Sequence, residues 1–406
     1  MSDQQTASLA SPIRDPVIDM LKVIGSQTIA LHHCTLYGPL AHDALSAAPF
    51  FLGFFHVYGR YAVQFFLLMG GYNATKHLST HNRHSTLWHT ILTRYKNIMP
   101  AYIIALMTII AIATITRAYC VMDFLGPQEN FQQIISHMLL VQHILDIPSI
   151  SAGVWYISID MQLFVLSALC MKICRNTQYF LYAVTLSIVS SLSYFSYLPQ
   201  YDMYAWYFFA SYGLGILIYY SIHKNHIMTI HYMYLIIACT YVISNYYNFS
   251  TKNVFLLIAS CIFYLLLHYR FPIPAITTRS LQWLSQRSYH LFLTHYGMII
   301  IVNALYFYFI NTYLASYSLW FIGLLWISSI AFAHYMYTVC EKTSEYWGRI
   351  YSHEKILPIY LGIFLTQTVQ KVNVLCSLLI TITGFHRLSK KTFEGKNIIL
   401  HNDGEM

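Results

Sequence analysis

Long apolar runs separated by short polar loops set the first expectation for this chain. Runs of roughly 17 to 25 residues, the length that crosses a bilayer as a helix, fall near 17–36, 52–72, 97–116, 153–174, 178–197, 204–222, 230–248, 253–269, 288–310 and 317–340. The pattern predicts an all-α fold, a polytopic membrane helical bundle of about ten transmembrane helices. Lys and Arg gather in alternate loops. Arg14 precedes the first run, Lys76, Arg83, Arg94 and Lys96 follow the second, and Lys172 and Arg175 follow the fourth. They recur at Lys224, at Arg270, Arg279 and Arg287, and at Lys342 and Arg349, whereas the loops between hold Asp43, Asp123, Glu129 and Asp202. The positive-inside bias then places both termini in the cytoplasm, with Arg117 and Lys252 as exceptions.

Two stretches fit this count less well. The segment 131–145, FQQIISHMLLVQHIL, is short for a crossing and reads as a re-entrant or interfacial helix on the outer side. The run 358–383 is interrupted by Gln367, Gln370, Lys371 and Asn373 and is followed by Arg387, Lys390 and Lys391. It reads as an amphipathic segment leading into a polar tail. The expected organisation is therefore a membrane domain over 1–345 and a C-terminal amphipathic segment and tail over 346–406. Asp19, Lys22 and the lack of a small-residue cleavage site argue against a signal peptide.

Composition agrees with the pattern. Of 406 residues 57% are hydrophobic and 9% charged, against about 25% charged in an average soluble domain. The net charge of +8 lies in the short loops, where it reports orientation, so nucleic acid is not an expected partner and membrane lipids are. The 8 cysteines show no C-x-x-C or zinc spacing and are expected as free, buried thiols. Histidines between His77 and His89 read as a solvated loop, and no metal is expected.

The first run carries ionisable groups, IDMLKVIGSQTIALHHC over 18–34. At about 100° per residue, Lys22, Ser26 and His33 lie within roughly 60° of Asp19, whereas His32 lies about 140° away. Asp19, Lys22, Ser26 and His33 form one stripe, and geometry selects His33 over its neighbour. Fourteen residues separate Asp19 from His33, about 21 Å, so the stripe is a track and not a triad. Groups of this kind inside a bilayer point to function. The plainer reading is that Asp19 and Lys22 pair at a helix end and His33 hydrogen-bonds a neighbouring helix.

Several stretches resemble the integral-membrane acyltransferase 3 family. Asp19, Leu21 and Lys22 are similar to its Asp-x-Leu-Arg motif, with Lys for Arg, and His33 stands at the family's spacing. AVQFFLLMGGYNATK resembles the pattern ending Phe-Phe-x-x-Ser-Gly-Tyr, with Gly70 for Ser and Gly71 and Tyr72 in place. LTRYKNIMPAY resembles the basic third-helix motif, with Arg94 and Pro100 matching and Asn97 replacing the second Arg. GVWYISIDMQLF is similar to Trp-x-Leu-Ser-x-Glu-x-x-Phe, with Trp155 and Ser158 matching and Asp160 for Glu. SYHLFLTHYGM resembles Ser-Tyr-x-x-Tyr-Leu-x-His through Ser288, Tyr289, Leu293 and His295, and Glu341 matches the start of the terminal motif. The resemblance covers about residues 14–342.

It implies transfer of an acyl group, often acetyl, from a cytoplasmic acyl-CoA to a hydroxyl of a cell-envelope glycan or lipid-linked sugar. The expected site is a bacterial cytoplasmic membrane. No bound cofactor is expected, acyl-CoA (acetyl-CoA) being a donor co-substrate. Arg14, Lys22, Arg94 and Lys96 would then meet coenzyme phosphates. His33 would act as general base or transient acyl carrier, with Asp160 and His295 orienting it or the acceptor. Arg60, Tyr72 and Trp155 are the remaining candidate substrate-binding residues, Arg60 needing a partner inside its run. Positive-inside topology alone also explains Arg14, Arg94 and Lys96, and an interfacial belt explains Trp155. A transporter or flippase for a polar or lipid-linked solute is the alternative, though no inverted repeat is visible. A third reading is another type of membrane acyltransferase with His295 as its main base.

Overall fold

The computed structural model describes residues 15–81, 86–120, 122–223, 227–310 and 317–351. Its helices are α1 (Pro16–Cys34), α2 (Gly38–Ala47), α3 (Pro49–Tyr58), α4 (Val63–His81), α5 (Leu87–Tyr119), α6 (Phe131–Met138) and α7 (Val154–Cys174). They continue as α8 (Thr177–Ser193), α9 (Ala205–Ile222), α10 (Ile227–Tyr247), α11 (Thr251–His268), α12 (Ala275–Ile310) and α13 (Ser318–Tyr351). Among the described residues there is no strand. Among the described residues, seven helices are long and apolar enough to cross a membrane, lying in α5, α7, α8, α9, α11, α12 and α13.

Local chemistry starts these helices where the pattern expects them. The Asp15 carboxylate accepts from Val17 N at 3.0 Å ahead of Pro16, an N-cap followed by proline in the first turn. Thr86, Asn176 and Ser250 cap α5, α8 and α11 in the same manner. In a bilayer, helices approach closely only where small residues face each other. On α4, a Cβ at Gly71 would overlap the Tyr212 carbonyl oxygen, and on α9 a Cβ at Gly215 would overlap that of Leu68. These two glycines let the backbones of α4 and α9 approach closely, and Ser211 Oγ donates to Gln64 Oε1 across the pair. The polar stripe of α1 packs on α12, which also meets α5 and α13.

Three expectations need correction. The run 52–72 is not one helix: it divides into α3, a 3-10 turn at Gly59–Ala62, and α4. At 1.5 Å per residue α3 spans only about 15 Å, and its Phe50, Phe51 and Phe54 are exposed apolar surface. Arg60 falls in the turn and is exposed, so it is not enclosed in a span. Its Nη2 donates to the Tyr61 hydroxyl at 3.3 Å, and its guanidinium lies 5.1 Å from the Tyr61 ring centroid. The seven described cysteines are free, but Cys239 and Cys261 are exposed on α10 and α11 rather than buried. The short segment 131–145 holds only the eight-residue α6, too short to cross. Helix α13 runs through position 345 to Tyr351, and the run 358–383 lies outside the described residues.

Candidate active site

Helices α1 and α12 run side by side and bring two histidines together far apart in sequence. His33 and His295 are both buried, at 8% and 1% exposure. Their rings lie edge to edge and nearly coplanar, 4.9 Å between centroids and 5° between planes, with His33 Nδ1 2.7 Å from His295 Nε2. His295 Nδ1 is also 2.9 Å from the Leu291 carbonyl oxygen, one turn earlier on α12. This network assigns the protons. A carbonyl can only accept, so His295 Nδ1 carries its hydrogen and donates to Leu291. The neutral ring then has a bare Nε2, which accepts from His33 Nδ1–H. His33 Nε2 is left with its lone pair, poised to take a proton.

The neighbour faces elsewhere. His32 Nδ1 donates to the Phe55 carbonyl at 2.8 Å, and its side chain packs against Gly59. It serves to fasten α3 and the turn onto α1. Around the histidine pair stand Tyr37, its ring 5.9 Å from His33, and Phe292, 6.4 Å from His295. Burial raises the Tyr37 phenol above its ordinary pKa, which keeps it a neutral hydroxyl.

At the other end of the α1 stripe, Asp19 is 5% exposed and its Oδ1 accepts from Ser285 Oγ at 2.5 Å. Its Oδ2 is buried and makes no hydrogen bond among the described residues. Ser26, between the two ends, donates to the Val23 carbonyl. Lys22 is half-buried on the same helix.

An ion pair between half-buried Arg94 and buried Asp160 joins α5 to α7. Arg94 Nη2 donates to Asp160 Oδ2 at 2.5 Å, the guanidinium lies 4.3 Å from the Phe164 ring centroid, and Arg94 Nε is buried without a partner among the described residues. Tyr156, Tyr212 and Tyr289, from α7, α9 and α12, all feel the charges of this pair. At Gly70, a Cβ would stand 3.1 Å from Asp160 Oδ1, so the position borders the carboxylate directly.

The structure thus unites some of the expected residues and separates others. His33 and His295 meet. Asp160 holds Arg94, and no hydrogen bond from it to either histidine is found. Lys96 is exposed, and Arg14 lies outside the described residues. Tyr72 is buried edge-on to Tyr219 and Phe263, in the packing of α4 on α9 and α11. Trp155 is half-buried 5.6 Å from Phe208. Sequence reasoning did not single out Leu291, Tyr37, Tyr156 or Tyr212, none of which carries a spacing that distinguishes it in a chain with 36 Tyr. Among the described residues no group of His, Cys, Asp and Glu is arranged to hold a metal ion.

A family model described as an acyltransferase domain, acyltransferase 3, matches residues 15–337. Comparisons with curated proteins and with solved structures each gave no match.

Proposed function

This chain belongs to the acyltransferase 3 family, and from that premise we propose that it moves an acyl group, acetyl in the first instance, from cytoplasmic acyl-CoA to a hydroxyl of a cell-envelope glycan or lipid-linked sugar. In this reading about ten helices cross the cell membrane, both termini are cytoplasmic, and the α1 stripe leads from the donor side to His33. The observation that carries it is the bare Nε2 of His33, fixed by His295 and Leu291.

His33 Nε2 takes the proton of the acceptor hydroxyl as its oxygen attacks the thioester carbonyl carbon. The charge that appears on the His33 ring is shared through Nδ1–H with His295 Nε2, which is itself held in place by Leu291. When the tetrahedral intermediate collapses, the C–S bond breaks, and the thiolate takes the proton from His33 to leave as the free thiol. The acyl group ends as an ester on the acceptor. Lys22, one turn beyond Asp19, and Lys96, exposed on α5, are suited to the donor's phosphates, whereas Arg94 positions Asp160 within the bundle.

The test is transfer from radiolabelled acetyl-CoA to candidate envelope glycans by purified, folded protein. His33→Ala is expected to lose about 100-fold to 10,000-fold in turnover, the usual worth of positioned acid-base catalysis. His33→Gln should be nearly as damaging, because an amide cannot accept and return a proton. His32→Ala should keep most of its activity. An active His33→Ala beside a dead His32→Ala would remove the catalytic assignment.

A further inference from the structure

Near the Asp19 end of α12, a second cation is buried and is not part of the site above. Arg287 is 9% exposed. Its Nε donates to His334 Nδ1 on α13 at 2.9 Å, and its Nη1 donates to the Trp283 carbonyl at 2.7 Å and to Gln286 Oε1 at 3.4 Å. The guanidinium lies between two rings, 4.2 Å from the centroid of Trp283 and 4.6 Å from that of Tyr337. Every one of these partners is neutral, since a His334 that accepts at Nδ1 is uncharged.

Among the described residues no carboxylate forms an ion pair with Arg287. Glu341 is exposed and accepts from the Tyr337 hydroxyl at 3.0 Å. A buried charge is retained where something offsets it, and a guanidinium with neutral partners leaves that offset to a ligand. The surroundings supply matching groups. Arg287 Nη2 makes no hydrogen bond among the described residues, and His334 has Nε2–H as its remaining donor. His290, one turn along α12, stands edge-on to Tyr337 at 5.5 Å, feels the charges of both Arg287 and Glu341, and has neither ring nitrogen partnered among the described residues. Trp283 is 40% exposed, so the seam between α12 and α13 opens to the surface there.

A planar guanidinium edge with two imidazole N–H donors suits the oxygens of a phosphate. We propose that Arg287, His290 and His334, between the rings of Trp283 and Tyr337, form a phosphate-binding site at the α12–α13 seam. The phosphate comes either from the nucleotide of the acyl donor or from an anionic phospholipid headgroup. The first source rests on acyl-CoA as the donor; the second does not.

Thermal unfolding of the purified full chain separates the sources and needs no turnover. Adenosine 3′,5′-bisphosphate is titrated into protein in neutral detergent, and nanodiscs of phosphatidylglycerol are compared with nanodiscs of phosphatidylcholine. Wild type is expected to show a raised unfolding midpoint with at least one of the two probes. The bisphosphate identifies the coenzyme, and phosphatidylglycerol identifies the lipid. Arg287→Gln should weaken the responding probe about tenfold or more, with partial recovery in Arg287→Lys because a point charge replaces the fork. His290→Leu removes nitrogens that bond nothing among the described residues, so it is expected to fold and to weaken the same probe. Wild type indifferent to both probes overturns the proposal whatever the variants do, as does unchanged binding in folded His290→Leu. His33→Ala should bind like wild type, so a failed transfer assay leaves this result standing.

Discussion

His295 and Leu291 sit one turn apart on α12, and the bond between them decides which nitrogen of His33, on α1, is basic. His295 is therefore a positioning residue whose contribution depends on accepting at the place of Nε2. Glutamine can present its amide oxygen there, whereas leucine fills the volume and accepts nothing. His295→Gln is expected to lose about tenfold in turnover and His295→Leu about 100-fold or more, with donor KM unchanged in both. Equal losses in the two folded variants would leave His295 as packing. Helical phase alone separated His33 from His32, and the two rings do take different partners, His295 and the Phe55 carbonyl. The partner of Asp160 was not legible in the same way. The carboxylate meets Arg94, and removing one member leaves a buried charge uncompensated. Arg94→Ala should cost about 3–5 kcal/mol, read as a lowered unfolding midpoint, and Arg94→Ala with Asp160→Ala should recover part of it. A fully stable Arg94→Ala with weakened donor affinity would instead return Arg94 to the coenzyme.

Helix identity was largely local, and helix packing was not. Caps such as Asp15 and Asn176 mark starts that a sequence displays, because the bond spans only a few residues. The phenylalanine-rich stretch at the start of the second run misled for a physical reason. Hydropathy counts Phe50, Phe51 and Phe54 alike whether a helix crosses the bilayer or exposes them on its flank, and only the turn at Gly59–Ala62 ends α3. The pairing of α4 with α9 rests on the absence of two Cβ atoms. Gly71→Ala and Gly215→Ala are each expected to destabilise by at least about 1–3 kcal/mol, because the atom struck is backbone and cannot swing away. Gly53, in α3, has nothing within 4 Å of an added Cβ. Gly53→Ala is the control, expected within about 1 kcal/mol of wild type. Unfolding midpoints in one detergent compare the three, and a Gly215→Ala that matches Gly53→Ala would mean that the helix pair relaxes without cost.

At the scale of the whole molecule, the proposed orientation rests on the charge pattern alone. Arg117 and Lys252, the two exceptions to the positive-inside bias, are both engaged by their surroundings. Arg117 makes a bidentate pair with Glu129 at 2.8 and 3.0 Å, and Lys252 lies 3.3 Å from the Tyr207 ring centroid while donating to the Ser196 carbonyl. A cation held in this way carries little topological information. Ser79, near the end of α4, and Asp202, in the loop before α9, are then expected on opposite sides of the membrane. Single cysteines at these two positions, in a background without the native thiols, should react with an impermeant label from opposite sides; labelling of both from one side would refute the orientation. By itself the sequence determined an all-helical chain, nearly all of the helix positions and the polar face of α1, because run length and helical phase are set by neighbours in the chain. Only the tertiary structure decided which polar groups meet. His33 reaches His295 across 262 positions and Arg94 reaches Asp160 across 66, and such pairs depend on how two helices are rotated and how far one slides along the other. No local pattern encodes those two quantities; glycine contacts, caps and breaks summed over the whole bundle set them.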